Sequence, residues 1–564
     1  MVMRRLLRTG ANLWFVFFST VFLTGGYVGY KHGQWAFHGG KLAAPSLILA
    51  GLILLAFIFD RRGFSSLWIV RLSKKVESLP KSIALLGLFL IAFILFSSIS
   101  LARHYSFSSD AYDLGLFSTA VWNGGHGLGL FSSLKGNQDL LSDHFEPALY
   151  LFSPLFYIWP DVSALLIAQV LLLISAIYPI YRIARGKLGH HGVALAFVIS
   201  FLLSRTLKGI YITDFYPECL LVPAFSWGMY YLLKGKDLPF TLLTLLTLFC
   251  KEDLAFSVIF MGLFIIFAMK KKRLGIFLVI AGLVTWIAAT KWIIPSINAD
   301  GIYRYKARFP FGITYWDNIV VVTTQPWRLW ALMFTKEKTM YLLETFTPLG
   351  GLSFLGFVYF LPALPGILIN LISNYWKQAS VSFHYGSRII PFTYISAIFG
   401  LRFLVEKVLL RKYPGLSREK VYSGAALGLV LMAFIFISVP DTRQLTKFTS
   451  KMSLKNVEKL EVLGRIPREA SVCASYKLVP HLSLRRYIYS WENPIGGKPL
   501  YTVCEYVVLD RVLSEFGDEA VKANEKILFD AGYQKVDQDP SGELVVYRNP
   551  TIDPTLVQGV KGDP

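Results

Sequence analysis

The chain has 564 residues, 54% of them apolar and 16% charged, with a mean hydropathy of +0.50. Soluble domains carry about 25% charged residues, so this composition excludes an ordinary soluble enzyme, a disordered tail and a collagen-like fibre, and indicates an integral membrane protein. The net charge of +21 is not a nucleic-acid signal, because residues 441–564 hold 17 basic and 17 acidic side chains and the whole excess lies in the apolar part.

A helix needs about 20 mainly apolar residues to cross roughly 30 Å of hydrocarbon. The first such run follows Arg4, Arg5 and Arg8 and lacks a small-residue cleavage site, so it reads as a retained span rather than a secretory signal. In chain order the expected spans are 12–30, 42–59, 83–101, 161–181, 192–210, 217–233, 238–250, 254–269, 274–295, 344–361, 363–374, 388–405 and 422–440. The runs 238–250 and 363–374 are too short to cross comfortably and read as half-helices or tilted segments. A single helix over 239–269 would measure about 46 Å at 1.5 Å per residue, too long for the bilayer, which places a break at Lys251-Glu252-Asp253.

Lys and Arg are retained in cytoplasmic loops. Starting inside with Arg4, Arg5 and Arg8, alternate loops carry Arg61-Arg62 with Lys74-Lys75, Arg182 to Lys187, Lys234 and Lys236, Lys270 to Arg273, and Arg402 to Lys420. These inner segments hold 24 basic and 5 acidic residues, against 16 and 14 in the rest of residues 1–440. The expected topology is a multi-pass protein of the cell membrane with its N-terminus in the cytoplasm. The long loops 102–160 and 296–343 and the C-terminal part then lie outside. The expected organisation is two appended helices in 1–80, a membrane core in 81–440 and an extracytoplasmic α/β domain in 441–564. Within that last part a helix is expected near 454–463, β-like runs at 471–475, 487–491, 506–510 and 543–547, and a helix over 519–531. Cys473 and Cys504 form either a bridge or two buried thiols on neighbouring strands. No Cys/His cluster has zinc spacing.

Ionisable residues at the edge of a bilayer normally face a cavity or a partner, and six groups stand out. Asp110 and Asp113 are three apart, so both carboxylates can face one spot as a metal pair or a base; helix capping is the plainer reading of Asp110. His144 and Glu146 can converge from a turn as an acid/base or ligand pair, or serve as hydrogen-bonded structural groups. Asp214 and Glu218, four apart, are either a cavity pair or half of a structural ion pair. Lys251 has the charge to neutralise a phosphate while Glu252 or Asp253 holds it, with snorkelling as the bland alternative. His384 and Arg388 stand at the mouth of a span, where a planar guanidinium suits phosphate oxygens or anchors the interface. Arg304 lies in the alternating Tyr303-Arg304-Tyr305-Lys306 run, a pattern of sugar- or head-group-binding loops; nucleic acid fits it locally but not on the outer side.

The series Asp113-Leu-Gly-Leu-Phe, Trp122-Asn, Ser132-Ser-Leu, His144-Phe-Glu-Pro, Asp214-Phe-Tyr-Pro-Glu218, Lys251-Glu-Asp253, Asn370-Leu-Ile-Ser, His384-Tyr and Val479-Pro-His-Leu-Ser483 resembles a prokaryotic family of multi-pass membrane proteins of unknown function. That family is in turn similar to the GT-C glycosyltransferases, and the resemblance covers about residues 85 to 550. It implies a GT-C-like, α-helical polytopic fold with a catalytic acid in the first large outer loop. It also implies membrane lipid as a partner and a lipid-phosphate-linked sugar donor, here polyprenyl phosphate. Asp113 matches that acid by position, with His144 and Glu146 expected to orient it or the acceptor, and Lys251, Arg388 and Arg304 expected to meet the leaving phosphate. The Asp-Glu or Glu-Asp pair of several GT-C groups is replaced by Asp110-x-x-Asp113, which leaves a divalent cation open. A lipid or solute transporter or flippase, and a non-catalytic lipid- or glycan-binding scaffold, are the rival readings; the apolar span centres and the lack of an inverted repeat weigh against transport.

Overall fold

The computed structural model describes residues 74–298, 311, 320–321, 323–437, 442–492, 500–514 and 517–552. The expected spans 12–30 and 42–59, and Arg304, lie outside them.

Among the described residues three helices are long and apolar enough to cross a membrane: Lys81–Tyr105, Ser163–Leu188 and Lys272–Ile297. His191–Leu202 and Arg205–Tyr211 make a fourth if the pair, bent by 47°, is one span. Their surroundings differ. Leu86, Leu90, Ile91 and Ile94 of the first helix point outward, whereas Leu165, Val170, Leu173 and Ile180 of the second are wholly buried. In lipid an outward apolar face costs nothing, and the helix packs through its other side. The charged break expected after residue 250 is present: helix Asp237–Thr247 ends, Lys251-Glu252-Asp253 form a turn, and helix Leu254–Phe267 begins. Helices Leu254–Phe267 and Lys272–Ile287 then approach closely through glycines. A Cβ on Gly262 would stand 2.6 Å from the Gly275 carbonyl oxygen, and one on Gly282 would stand 2.8 Å from that of Ala255. Gly262→Val is therefore expected to destabilise the fold by about 1–3 kcal/mol, the usual cost of overpacking, as read from thermal denaturation in detergent.

The expected span 344–361 is corrected. The chain instead forms helix Lys336–Phe346, a 3-10 turn Thr347–Leu349, short helix Leu352–Leu355, a 3-10 stretch Phe357–Ala363 and helix Leu364–Ile372. Gly350 and Gly351 both take left-handed φ, +58° and +70°, so two successive residues without Cβ break a run that hydropathy alone reads as continuous.

The C-terminal part carries a five-stranded sheet in the order 488–490, 472–474, 506–510, 544–548, 534–538. The first three strands are parallel, with Val472 beside Ile488 and Tyr506, and the last two are antiparallel additions. Helices Leu454–Gly464 and Gly517–Asp530 complete it. Strand Gln534–Gln538 was not expected: it is an exposed edge with no apolar alternation to announce it. Cys473 and Cys504 are bridged, which decides between the two alternatives left open above. Reduction is expected to lower the stability of this part by about 2–4 kcal/mol, visible as earlier loss of sheet signal on heating with a thiol.

This part docks on the loop 102–160 rather than standing free. Ser118 Oγ lies 2.6 Å from Ser483 Oγ and Thr119 Oγ1 donates to Ser483 O at 2.9 Å. Ser133 Oγ donates to Ile488 O at 2.6 Å and accepts from Ile488 N at 2.8 Å. His104 and His481 stack with ring centroids 4.0 Å apart, and a Cβ on Gly115 would meet Val479 Cγ1 at 3.0 Å. The Val479-Pro-His-Leu-Ser483 motif is thus the surface that seats the sheet on helix Leu116–Gly125 and the turn before it.

Candidate functional site

Helix Lys81–Tyr105 delivers Arg103 to the start of the loop 102–160, where Phe107 turns the chain with φ +53°. Asp110 is extended, and the widened turn Ala111–Gly115 swings Asp113 back beside it. Asp214 arrives from the turn between helix Arg205–Tyr211 and the 3-10 turn Pro217–Leu220. Arg103 donates through Nη1 to Asp214 Oδ1 and through Nη2 to Asp110 Oδ2, the latter at 3.1 Å. The Asp110 backbone N–H donates to Asp214 Oδ2 at 3.0 Å, and Lys477 from the C-terminal part donates to Asp110 Oδ1.

A second group gathers the other described ionisable residues singled out in the sequence. Lys251 Nζ lies 3.1 Å from Glu218 Oε1 and 3.7 Å from Glu146 Oε1. His384 Nε2 stands 3.6 Å from the same Glu218 oxygen. His144 Nδ1 pairs with Glu252 Oε1 at 2.9 Å, and Phe145 N donates to Glu252 Oε2 at 3.0 Å. Arg388 Nη1 donates to Asp253 Oδ2 at 2.6 Å. Gly366 makes room for that guanidinium stem, since a Cβ there would be 2.6 Å from Arg388 Cδ. Glu146, Glu218, Lys251, Glu252, His384 and Arg388 are all buried.

Tyr216 joins the two groups: its hydroxyl hydrogen-bonds Asp113 and its ring stacks on His384 with centroids 3.7 Å apart. The structure therefore brings Asp110, Asp113 and Asp214 into one group and His144, Glu146, Glu218, Lys251, Glu252 and His384 into an adjoining one, with Asp253 and Arg388 paired beside it. Three residues were missed in the sequence. Arg103 was hidden because the expected span stopped at 101, although an arginine ending a strongly apolar helix is a signal in itself. Tyr216 was quoted within a motif without a role, and nothing local marks Lys477, whose partner is 367 residues away.

Burial pushes the Asp113 carboxyl up to about 6, helped by the neighbouring Asp214 and Asp110 charges and opposed by the Tyr216 hydrogen bond and by Lys377. Burial also pushes Glu146 up to about 8, against the pull of Lys251 and His144, so it is largely a neutral acid at pH 7. His384 is driven down to about 3, first by burial and then by Lys251 and Arg388, and so is a neutral ring despite Glu218. The two carboxyl groups thus differ in protonation at pH 7: Asp113 is mostly ionised and Glu146 mostly neutral.

Among the described residues one carboxylate group has ligand atoms close enough to share an ion, Asp110, Asp113 and Asp214, all within 4.8 Å of one another. Oxygen donors of this kind suit a hard divalent cation. The fit fails on charge and on hydrogen bonding: the four oxygens of Asp110 and Asp214 already accept from Arg103, Lys477 and a backbone N–H.

Residues 103–543 match the family described as predicted membrane protein (DUF2079), and the chain belongs to that family. No curated protein matches its sequence. Among solved structures it is similar to ArnT from Cupriavidus metallidurans bound to undecaprenyl phosphate, at 12% identity and a TM-score of 0.47 over 86% of this chain and 100% of that one. The apo form of the same ArnT gives a TM-score of 0.44 at 12% identity with the same coverage. The Archaeoglobus fulgidus oligosaccharyltransferase, a complex with Zn and sulfate, gives 0.37 at 10% identity over 81% of this chain and 73% of that one.

Proposed function

We propose that the chain is an inverting, GT-C-like membrane glycosyltransferase that moves a sugar from a polyprenyl-phosphate-linked donor to an acceptor at the outer membrane face. The supporting observation is the Asp113 carboxyl, raised to about 6 and hydrogen-bonded by Tyr216, whose ring stacks on His384 and so links it to the group that holds the buried cation Lys251, with Arg388 paired to Asp253 beside that group. Asp113 takes the acceptor hydroxyl proton as its oxygen attacks the anomeric carbon from the face opposite the phosphate. The bond from that carbon to the phosphate oxygen breaks, and the charge that develops there is met by the two cations. Glu146, held neutral, donates a hydrogen bond without adding negative charge beside the phosphate. Glu218 and Asp253 keep the cations in place between turnovers. The N-terminus is then cytoplasmic and the sheet extracytoplasmic.

The deciding experiment incubates the purified protein in lipid nanodiscs with undecaprenyl-phosphate-linked sugars and follows release of undecaprenyl phosphate. Release with a product of inverted configuration supports the reading. Movement of intact donor across the bilayer, with no bond cleaved, replaces it with a flippase.

Because the base must be ionised and Glu146 must keep its proton, the rate is expected to fall about tenfold per unit below about pH 6, to plateau between about pH 6 and 8, and to fall again above about pH 8 as Glu146 ionises. Tyr216→Phe removes a hydrogen bond that stabilises the Asp113 carboxylate, so this acid limb should move to higher pH. A limb that stays in place under that substitution assigns it to another group.

A further inference from the structure

The three carboxylates at the first group are the place where sequence spacing invites a metal ion, yet basic side chains already occupy it. Arg103 bridges Asp110 and Asp214 with its two terminal nitrogens, and Lys477 takes the other oxygen of Asp110. Arg103 is held there by burial: its side chain is 13% exposed and that of Asp214 only 1%. Three carboxylates and two fixed cations leave one negative charge, which belongs in effect to Asp113, whose oxygens meet neither cation. A divalent ion inserted here would overcompensate the cluster and stand within a few ångströms of a guanidinium and an ammonium, which would repel it.

We infer that Arg103 and Lys477 are the built-in counter-cations of the carboxylate cluster, taking the place of a divalent ion, and that the C-terminal part completes the site by supplying one of them. The chain positions of the two cations fit this division of labour. Arg103 is fixed by the membrane helix that carries it. Lys477 is delivered by the segment preceding Val479-Pro-His-Leu-Ser483, the motif that seats the sheet on the outer loop through Ser118, Thr119 and Gly115. The motif thereby acquires a purpose beyond packing: it sets the register at which Lys477 reaches Asp110. Lys477 is a positioning residue, since it touches Asp110 and not the proposed base.

The inference stands apart from sugar transfer because its readout is ion binding. The full-length protein in detergent is titrated with MnCl2, and free Mn2+ is followed by electron paramagnetic resonance. The wild type is expected to bind no stoichiometric Mn2+ that depends on Asp113. Lys477→Met uncovers an acidic site, and its affinity for Mn2+ should rise at least about tenfold. Adding Asp113→Asn to Lys477→Met should abolish the gain, and Lys477→Arg, which restores the cation, should behave as wild type. Wild-type protein that binds one Mn2+ and loses it on Asp113→Asn overturns the inference, as does a folded Lys477→Met protein with no gain. Should Lys477→Met fail to fold, the comparison of wild type with Asp113→Asn decides alone.

Discussion

Asp113→Asn is expected to lower transfer by about 10²–10⁴-fold, the range supplied by a positioned general base, while leaving the protein folded. The amide matches the carboxylate in shape and its oxygen still accepts from the Tyr216 hydroxyl, so the Tyr216–His384 stack has no reason to move. Only the capacity to take a proton is lost. Asp110→Asn provides the contrast: its two oxygens are held by Arg103 and Lys477, so its loss loosens the seat of the C-terminal part rather than removing the base. Transfer within tenfold of wild type in a monodisperse Asp113→Asn protein would remove Asp113 from the chemistry.

Much of the membrane core was legible because hydropathy and the lipid environment push in the same direction. Runs such as 83–101 and 274–295 recur as Lys81–Tyr105 and Lys272–Ile297, and the charged triplet 251–253 gave away its turn because a straight helix would overrun the bilayer. The failures have equally local causes. Gly350-Gly351 interrupts a mostly apolar stretch, and hydropathy does not register backbone sign. Edge strand Gln534–Gln538 is paired on one side and solvated on both faces, so it needs no alternation.

The candidate site was legible residue by residue but not in its pairing. Aspartates, glutamates, a lysine and an arginine beside apolar runs announce themselves, because membranes tolerate them only for a reason. Which acid holds which base is a matter of tertiary geometry. Glu218 turns to Lys251, Asp214 turns to Arg103, and His144 is bonded to Glu252. The residue that touches Asp113 is a tyrosine, a type too common in membrane proteins to stand out in sequence.

Lys251→Met should destabilise the protein by about 3–5 kcal/mol, the cost of leaving a buried charge without its partner. Glu218 is 2% exposed, its Oε2 has no hydrogen-bond partner, and its Oε1 depends on Lys251 and, more distantly, His384. Methionine fills the volume of the lysine stem but returns nothing to that oxygen. Glu218→Gln in the same background removes the stranded charge and should recover most of the lost stability, whereas Glu218→Gln alone should itself be costly because it strands Lys251 instead. Thermal denaturation of the four proteins in detergent forms a double-mutant cycle, and a coupling energy of about 0.5–3 kcal/mol is the signature of residues in direct contact. Strict additivity would mean that the pair does not hold this corner together, and Lys251 would then be free to serve the phosphate without a structural duty. The cycle also separates stability from chemistry: the double variant should regain its fold and still fail to turn over, since the cation proposed to meet the leaving phosphate is gone.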